Sequence, residues 1–377
     1  MNKILSVIFS AVLLAIPLSV LGLGTDNAFA PTPGWRAPDA GILSDMDAHI
    51  AKNLPLKPRL DELNLTIRTF GGQREYNQIF ISGDELIPNV DPPMDYMVRE
   101  NTAAILRFAE TAGIPTYCMI IPTVSAIRQE SLPQFSQTQV LNQKQFIENV
   151  YSGMIGRVTV IDVYPILFNA RSQYLYYRTE KNLTALGGFY IYTALGPKLL
   201  EGASRPALSD YDIEYAKNDY YGELYERSPF TDTRADTLSI FRYTRNPREY
   251  TVRIRQGGSL KTYHTLYPLH LLELGSPMDI YMGGLNAVTN VASNSPYPAS
   301  LLIFGDKTAL SYMPFLVNYY RTVTLVDLFQ LDAAGSRSIS IQDYDQVLFA
   351  YSIESYLHTN HPSRAANLLA SPHMAAG

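Results

Sequence analysis

The 377-residue chain holds a single cysteine, Cys118, and a single tryptophan. One thiol cannot form an internal disulfide, and zinc sites built on paired cysteines are excluded. Six histidines leave little else for a metal. Charge is scarce too: 17% of residues are charged, the formal net charge is −5, and no cluster of lysine and arginine offers the surface that nucleic-acid phosphates need. Beyond residue 30 no apolar run is long enough to span a membrane. What is abundant is apolar side chain, 46% of the total, which excludes disorder and suffices for one or two buried cores.

The first 30 residues stand apart. Lys3, an apolar run from Ile4 to Leu23 broken by Pro17, and Ala28-Phe29-Ala30 make the pattern of an export signal with an Ala-x-Ala cleavage site. The run matches the ~20 residues that cross a bilayer, and Pro31 directly after the cut opposes processing, so an uncleaved anchor is the alternative. Both readings predict residues 31–377 outside the cytoplasm, touching the membrane only through the N-terminal segment. A Pro-rich lead over 31–44 precedes a main domain over 45–377. Cys118, inside Tyr117-Cys118-Met119-Ile120-Ile121, is expected as a buried core thiol.

Within that domain, Leu60, Leu63, Ile67 and Phe70 predict a helix face ending at Gly71-Gly72. Gln78–Ser82 reads as a strand, Gly83-Asp84 as a turn, and Leu86-Ile87 as its return. Met94, Met97, Val98, Ile105 and Phe108 predict a helix closed by Gly113, and a strand follows over Thr116–Ile121. The alternation repeats with helices around Val140–Met154, Ala185–Leu200 and Leu310–Tyr320, and with strands at Val158–Val163, Leu301–Phe304, Val323–Val326 and Val347–Tyr351. Such spacing predicts βαβ units, hence an α/β fold with a parallel sheet flanked by helices in the flavodoxin-like manner. Residues 205–295, with Tyr211, Tyr215, Tyr220, Tyr221, Tyr225 and alternating runs such as Thr251–Arg255, read as an inserted region containing antiparallel β-structure.

Open α/β sheets bind ligands outside the carboxyl ends of their strands. Three segments qualify: Pro122-Thr123, Tyr176–Gly188, and Gly305-Asp306-Lys307-Thr308. In the last, a strand running into Gly-Asp-x at a helix mouth would set the third side chain on a sharp turn beside backbone N–H groups suited to an oxyanion. The bland alternative is a turn in which Asp306 caps the helix.

The run Tyr176-Tyr177-Arg178-Thr179-Glu180-Lys181-Asn182-Leu183-Thr184, followed by Gly187-Gly188-Phe189, resembles the signature Tyr-Tyr-Arg-Thr-Asp-His-His-Trp-Thr of the DHHW family, which is related to the SGNH hydrolase-like proteins of alginate acetylation. The resemblance extends over roughly residues 45–375 through Ile79-Phe80-Ile81, Gly83-Asp84, Ile120–Thr123, Gly283-Gly284-Leu285-Asn286, Gly305-Asp306 with Pro314-Phe315-Leu316, and Tyr344–Leu348. It implies that the family's aspartate falls on Glu180, its presumed general base on Asn182 and its nucleophilic serine on Lys307. An amide exchanges no proton near neutral pH, and an ammonium is not an alcohol. The implied catalytic positions Glu180, Asn182 and Lys307 are therefore degenerate, and the cleft around them is expected to include Tyr176, Tyr177, Arg178, Gly284, Asn286, Gly305, Asp306 and Thr308.

Thr308 as nucleophile is turned ~100° from its neighbour at a helix mouth. Lys307 could be a nucleophile or base if desolvated, or an ion-pair partner of Glu180. Ser125 and Ser311 lie near strand ends with no histidine assigned to them, and His358 and His361 have the i, i+3 spacing of a metal pair but no third ligand, which favours solvated loop histidines. Tyrosines suit sugar rings and half-buried core edges alike. Arg178 could pair with a carboxylate or an anionic glycan, or lock its loop. Two functions follow. One is a non-catalytic, extracytoplasmic binding or scaffold protein working with envelope polysaccharide and a membrane acyltransferase. The other is an active carbohydrate O-acetyltransferase or acetylesterase using non-standard residues. Neither calls for a cofactor or a metal.

Overall fold

The computed structural model describes residues 57–202 and 206–370, so the expected export segment and Pro-rich lead lie outside the described residues. The chain divides into two compact units, one of Met1–Gln73 with Ser228–Thr231 and one of Arg74–Arg227 with Asp232–Gly377.

In the first unit, α1 spans Lys57–Phe70. The face expected from Leu63, Ile67 and Phe70 is exposed, and Leu65 and Thr69, on the opposite side, are buried instead. Periodicity identifies which side chains share a face, not which face finds cover.

The second unit carries a three-stranded antiparallel sheet of β1 (Glu75–Tyr76), β2 (Ile79–Ser82) and β3 (Glu85–Pro88), with β2 and β3 joined through Gly83-Asp84. Its main sheet has eight strands: β4 (Thr116–Ile121), β5 (Thr159–Val160), β8 (Tyr250–Gln256), β9 (Ser259–Tyr263), β10 (Val288–Ser293), β11 (Ser300–Gly305), β12 (Thr322–Val326) and β13 (Gln346–Ser352). The spatial order is β5-β4-β13-β11-β12-β10-β8-β9. Pairings from β5 through β12 are parallel, and those from β12 to β9 are antiparallel. The fold is thus α/β around a mostly parallel sheet flanked by helices.

The central strands are apolar throughout because both faces are covered. Val347, Phe349 and Tyr351 of β13 join Leu302 and Phe304 of β11 and Cys118 and Ile120 of β4 in one core; Leu348, Ile303, Met119 and Ile121 join the other. On the first face α2 (Asp95–Ala112) sets Phe108 edge-on to Phe304 and Phe349, with ring centroids 5.5 and 5.2 Å away. Here too lies α3 (Gln143–Ser152), shorter than the expected helix over Val140–Met154, with Ile147 and Tyr151 inward. Burial pushes the Cys118 thiol up to about 12, so it is a core side chain rather than a thiolate nucleophile.

On the second face α4 (Ala185–Leu199) packs on α5 (Ala309–Leu316), with Tyr192 stacked on Phe315 at 5.9 Å. The two helices touch backbone to backbone: a Cβ on Gly188 would fall 1.9 Å from the Ser311 carbonyl oxygen. The strand expected over Val158–Val163 is only two residues long, although Ile161 N still donates to Cys118 O at 2.9 Å. At the sheet's edge only one neighbour is available to extend the ladder.

Residues 206–295 serve two ends. β6 (Tyr211–Tyr220) and β7 (Asp236–Tyr243) form their own antiparallel pair, while the β8–β9 hairpin, turned by Gly257 and Gly258 at φ +51° and +81°, extends the main sheet through β10. Two consecutive positive φ values are the requirement of the tightest hairpin turns.

Candidate functional site

The carboxyl ends of β4, β11 and β13 open onto a cleft of about 500 Å³. Pro122, Thr123, Asp306, Lys307, Thr308 and Ser352 come to it from those strand ends. One wall is the turn after β11. Gly305 is buried in the strand, where a Cβ would meet Ala350 O at 2.9 Å, so glycine lets the two strands run close up to the turn. Asp306 then holds the turn in two directions. Its Oδ1 accepts from Thr308 N at 3.0 Å and from the Thr308 hydroxyl; its Oδ2 accepts from Ser352 N and Oγ at 2.8 and 2.7 Å. Lys307 is left pointing across the opening.

The facing wall is the loop before α4. Tyr176 and Leu183 form an isolated antiparallel bridge, and Tyr177 N donates to Asn182 O at 3.2 Å, which closes Arg178–Lys181 into a narrow loop. Thr184 caps α4 by accepting from Gly187 N at 3.1 Å. The loop is tethered by Asp236, fully buried at the start of β7, whose carboxylate accepts from Arg178 N at 2.7 Å, Thr179 N at 2.8 Å and the hydroxyls of Thr179 and Tyr174. Burial raises the Asp236 carboxyl above the usual range although each of these bonds pulls the other way.

At the tip, Glu180 is 2% exposed and gathers five donors. Lys181 N at 3.0 Å and Asn182 Nδ2 at 2.8 Å reach Oε1; Tyr220 OH at 3.1 Å, Lys307 Nζ at 3.3 Å and Glu223 N at 3.5 Å reach Oε2. Gly222 makes room for this, because a Cβ there would lie 2.6 Å from that of Glu180. The structure thus brings Glu180, Asn182 and Lys307 together across 127 residues of sequence, as an amide–carboxylate–ammonium chain. None of the three is an imidazole or a hydroxyl, so the chain orients charge but does not relay a proton from an alcohol.

Of the other expected cleft residues, Tyr176 lines the opening with its hydroxyl on Pro122 O at 2.8 Å, and Thr308 lines it with its hydroxyl committed to Asp306. Five do not line it. Tyr177 turns into the core, where its hydroxyl meets that of Tyr281 at 3.2 Å. Arg178 lies over the Tyr174 ring, 4.4 Å from its centroid, in a separate polar hollow beside Asp236. Gly305 is the buried last residue of β11. Gly284 makes a positive-φ turn against Asp279, and the Asn286 amide is spent on the carbonyls of Gly283 and Gly284 at 3.1 and 2.9 Å; only Leu285 between them reaches the cleft. Which side chains of the loop face the cleft is settled by their partners elsewhere in the fold: Tyr281 draws Tyr177 inward and Asp236 draws Arg178 aside, whereas Lys181, Asn182 and Leu183 in succession all line the opening.

Ser125 and Ser311 are buried and bonded within the fold, to Thr123 and to Thr308 O. His358 and His361 part company. His361 sits against the Phe329 ring, whereas His358 is not a free loop residue: it ends α6 (Ile353–His358), lines the cleft and meets Pro92 O at 3.0 Å. Among the described residues no three His, Cys, Asp or Glu side chains converge as metal ligands.

Several cleft residues carried no signal in the sequence. Glu354 and Ser355 arrive on α6; the Tyr220 contact comes from the end of β6, and Glu223 and Arg227 from the segment after it. Lys181 reaches Glu223 at 3.4 Å, and Arg227 reaches it at 4.0 Å. Burial opposes the Lys181 ammonium, but Glu354, Glu223 and Glu180 outweigh it and the net direction is up. Burial raises the Glu354 carboxyl, with Lys181 opposing.

The same fold is found in solved structures of low sequence identity. A DHHW family protein from Eubacterium siraeum superposes with a TM-score of 0.62 at 17% identity, over 76% of this chain and 97% of that one. Bacillus cereus PatB1, solved with a sulfonyl adduct, gives 0.61 at 16% identity over 77% and 98%. A weaker likeness, 0.44 at 14% identity over 77% and 97%, is to the O-acetyltransferase domain of Pseudomonas putida AlgJ. No curated protein matches. The DHHW protein model matches residues 94–326, which hold both walls of the cleft apart from the α6 side, and the chain belongs to the DHHW family.

Proposed function

We propose that this protein is an extracytoplasmic, non-catalytic member of its family that uses the cleft to bind carbohydrate during modification of an envelope polysaccharide. The observation that carries the reading is the Glu180–Lys307 contact. Where an acyl-transfer site needs a hydroxyl beside an imidazole, this cleft has a carboxylate saturated by five donors, one of them the Lys307 ammonium, and an amide at Asn182. Export is supported by the Lys3-led apolar run and Ala28-Phe29-Ala30; anchoring or cleavage is a choice between two fates of that same segment. A membrane acyltransferase is the partner that this role implies. Among the described residues no helix is long and apolar enough to cross a membrane.

The test is hydrolysis of an aryl acetate by the purified full chain, together with labelling by a serine-directed sulfonyl probe. The expected result is buffer-level hydrolysis and no active-site label. A second reading, an active enzyme with relocated groups, draws on Ser352, Ser355 and His358 lining the same cleft. Labelling that disappears in Ser355→Ala or Ser352→Ala would establish it in place of the first.

A further inference from the structure

A further hollow lies at the end of the main sheet opposite the cleft. β8 begins at Tyr250, which pairs with Ser293, and the neighbouring Ala292 pairs with Thr322 at the start of β12. Between the β7–β8 loop and the end of α5 a cavity of about 250 Å³ opens there. Its walls are aromatic. Tyr243, Tyr250 and Tyr267 line it, and two of their hydroxyls are committed, Tyr250 to Asn318 Oδ1 at 2.6 Å and Tyr267 to Phe241 O at 3.1 Å, so what they offer is ring surface. Its charge is of one sign: Arg242, Arg248 and His264 line it, and no aspartate or glutamate does. Arg242 is taken up by Glu214 and lies over the Tyr267 ring, 5.9 Å from its centroid. Arg248 is not taken up. Its Nε is buried without a hydrogen-bond partner, and its guanidinium has no ion pair among the described residues. The loop that carries it is pinned on both sides, by Thr244 N on Asp210 O at 3.0 Å and by Glu249 N on Asn294 Oδ1 at 3.2 Å. Arginine cannot shed its proton to relieve an unmet donor, and such a donor costs ~1–3 kcal/mol or more, so a placed guanidinium with an orphaned N–H points to a ligand that accepts from it.

The chemistry of the hollow narrows that ligand. A guanidinium fork matches a planar carboxylate through two parallel bonds. One unpaired cation calls for one negative charge, whereas a phosphate monoester brings about −1.5 to −2. Aromatic walls suit the face of a ring, and the volume, below the ~300–1,000 Å³ of drug-sized sites, suits a single one. Resting on the carbohydrate reading above but at a separate site, we propose that this hollow binds one carboxylated sugar ring, a uronic acid unit of the polysaccharide, with Arg248 on the carboxylate and the tyrosine rings against the sugar. Burial raises the Tyr250 phenol and the Arg248 charge opposes it, which agrees with a guanidinium lying beside that aromatic wall.

Calorimetric titration of the full chain at low ionic strength with a uronic acid tetrasaccharide, a neutral hexose tetrasaccharide and inorganic phosphate tests this. The uronate is expected to bind at least about tenfold more tightly than either of the others and to weaken with added salt. Arg248→Gln is expected to remove about tenfold of the uronate affinity, and Arg248→Lys, which keeps the charge but not the fork, to lose an intermediate amount. Hydrogen-exchange mass spectrometry of the uronate complex locates the ligand, with slowed exchange expected over residues 243–250 and 264–267. Neutral tetramer binding as tightly as the uronate, an unchanged affinity in Arg248→Gln, or slowing confined to residues 181–184 and 306–309 overturns the site and leaves carbohydrate binding standing. Phosphate binding as tightly as the uronate makes the hollow a general anion site and overturns the sugar. If neither tetramer binds, the carbohydrate reading itself fails and takes this one with it. Should the Arg248 variants not fold, the exchange pattern of the wild-type complex decides alone.

Discussion

The two walls of the cleft are fixed by different kinds of interaction. The Gly305–Thr308 turn is held within the main sheet: Asp306 bonds the residue two positions on and Ser352 at the end of the adjacent parallel strand, whose register is dictated by apolar runs. The Tyr176–Thr184 loop is held from outside that sheet, by Asp236 at the start of β7, by Tyr220 at the end of β6, and by Gly222 and Glu223 just after it. The turn would keep its shape as long as the sheet does. The loop depends on one buried carboxylate in a region that the strand and helix rhythm does not predict.

That contrast is broken most severely at Asp236. Asp236→Ala leaves two backbone N–H groups and two hydroxyls without their acceptor in a dry site, each worth ~1–3 kcal/mol and not additive, so a loss of about 3–5 kcal/mol is expected in chemical denaturation. The equivalent change in the turn, Asp306→Ala, strips Thr308 and Ser352 of the same acceptor but beside an open cleft, where water substitutes. Its expected cost is smaller, about 1–3 kcal/mol. Equal losses at the two aspartates would erase the distinction between a wall held within the main sheet and one held from outside it.

The same distinction explains what was legible in the sequence. Strands such as Leu301–Phe304 and Val347–Tyr351, doubly buried, announce themselves as apolar runs, and their order and the Gly-Asp turn after β11 place one wall directly. The family resemblance supplied Glu180, Asn182 and Lys307, and the structure puts them in contact. What could not be read was anything requiring long-range pairing: Asp236 is one aspartate among many until β7 pairs with β6, and Glu354 and His358 look like a polar tail until α6 folds over the strand ends. Conversely Tyr177, Arg178 and Asn286 adjoin cleft residues in sequence yet face elsewhere, because Tyr281, Asp236 and the Gly283–Gly284 carbonyls hold them.

Among the described residues the two walls are joined across the cleft by the Lys307–Glu180 contact. Lys307 is 32% exposed on its side chain but Glu180 only 2%, so losing the ammonium takes the counter-charge from a buried carboxylate, which keeps four other donors. Lys307→Ser should therefore fold with a loss of about 1–2 kcal/mol by thermal unfolding. Combined with Asn182→His, it restores the hydroxyl and imidazole to the two walls with Glu180 in place to orient the ring. Aryl acetate hydrolysis above that of either single variant is the expected outcome. A stable but inert double variant would mean that the turn offers no N–H groups to an oxyanion, Thr308 N and Ala309 N being committed to Asp306.

The smallest effect lies on the α6 side and concerns pH. Burial lifts the Glu354 carboxyl in the folded protein above its ordinary value of 4.5, so the folded state keeps the proton to a higher pH than the unfolded chain does. The contribution of this group to stability is then fully present below about pH 4.5 and is lost as pH rises through the folded-state value, because ionisation places a charge in the partly dry cleft. Lys181 opposes this and limits its size. Denaturation midpoints of wild type and Glu354→Gln, compared from about pH 4 to about pH 8, should show the wild type losing ground to the variant as pH climbs, since glutamine has no proton to give up. The opposite slope would mean that the Lys181 attraction outweighs desolvation. Glu354 would then belong with the partnered carboxylates of the cleft, and the asymmetry between the α6 side and the two walls would disappear.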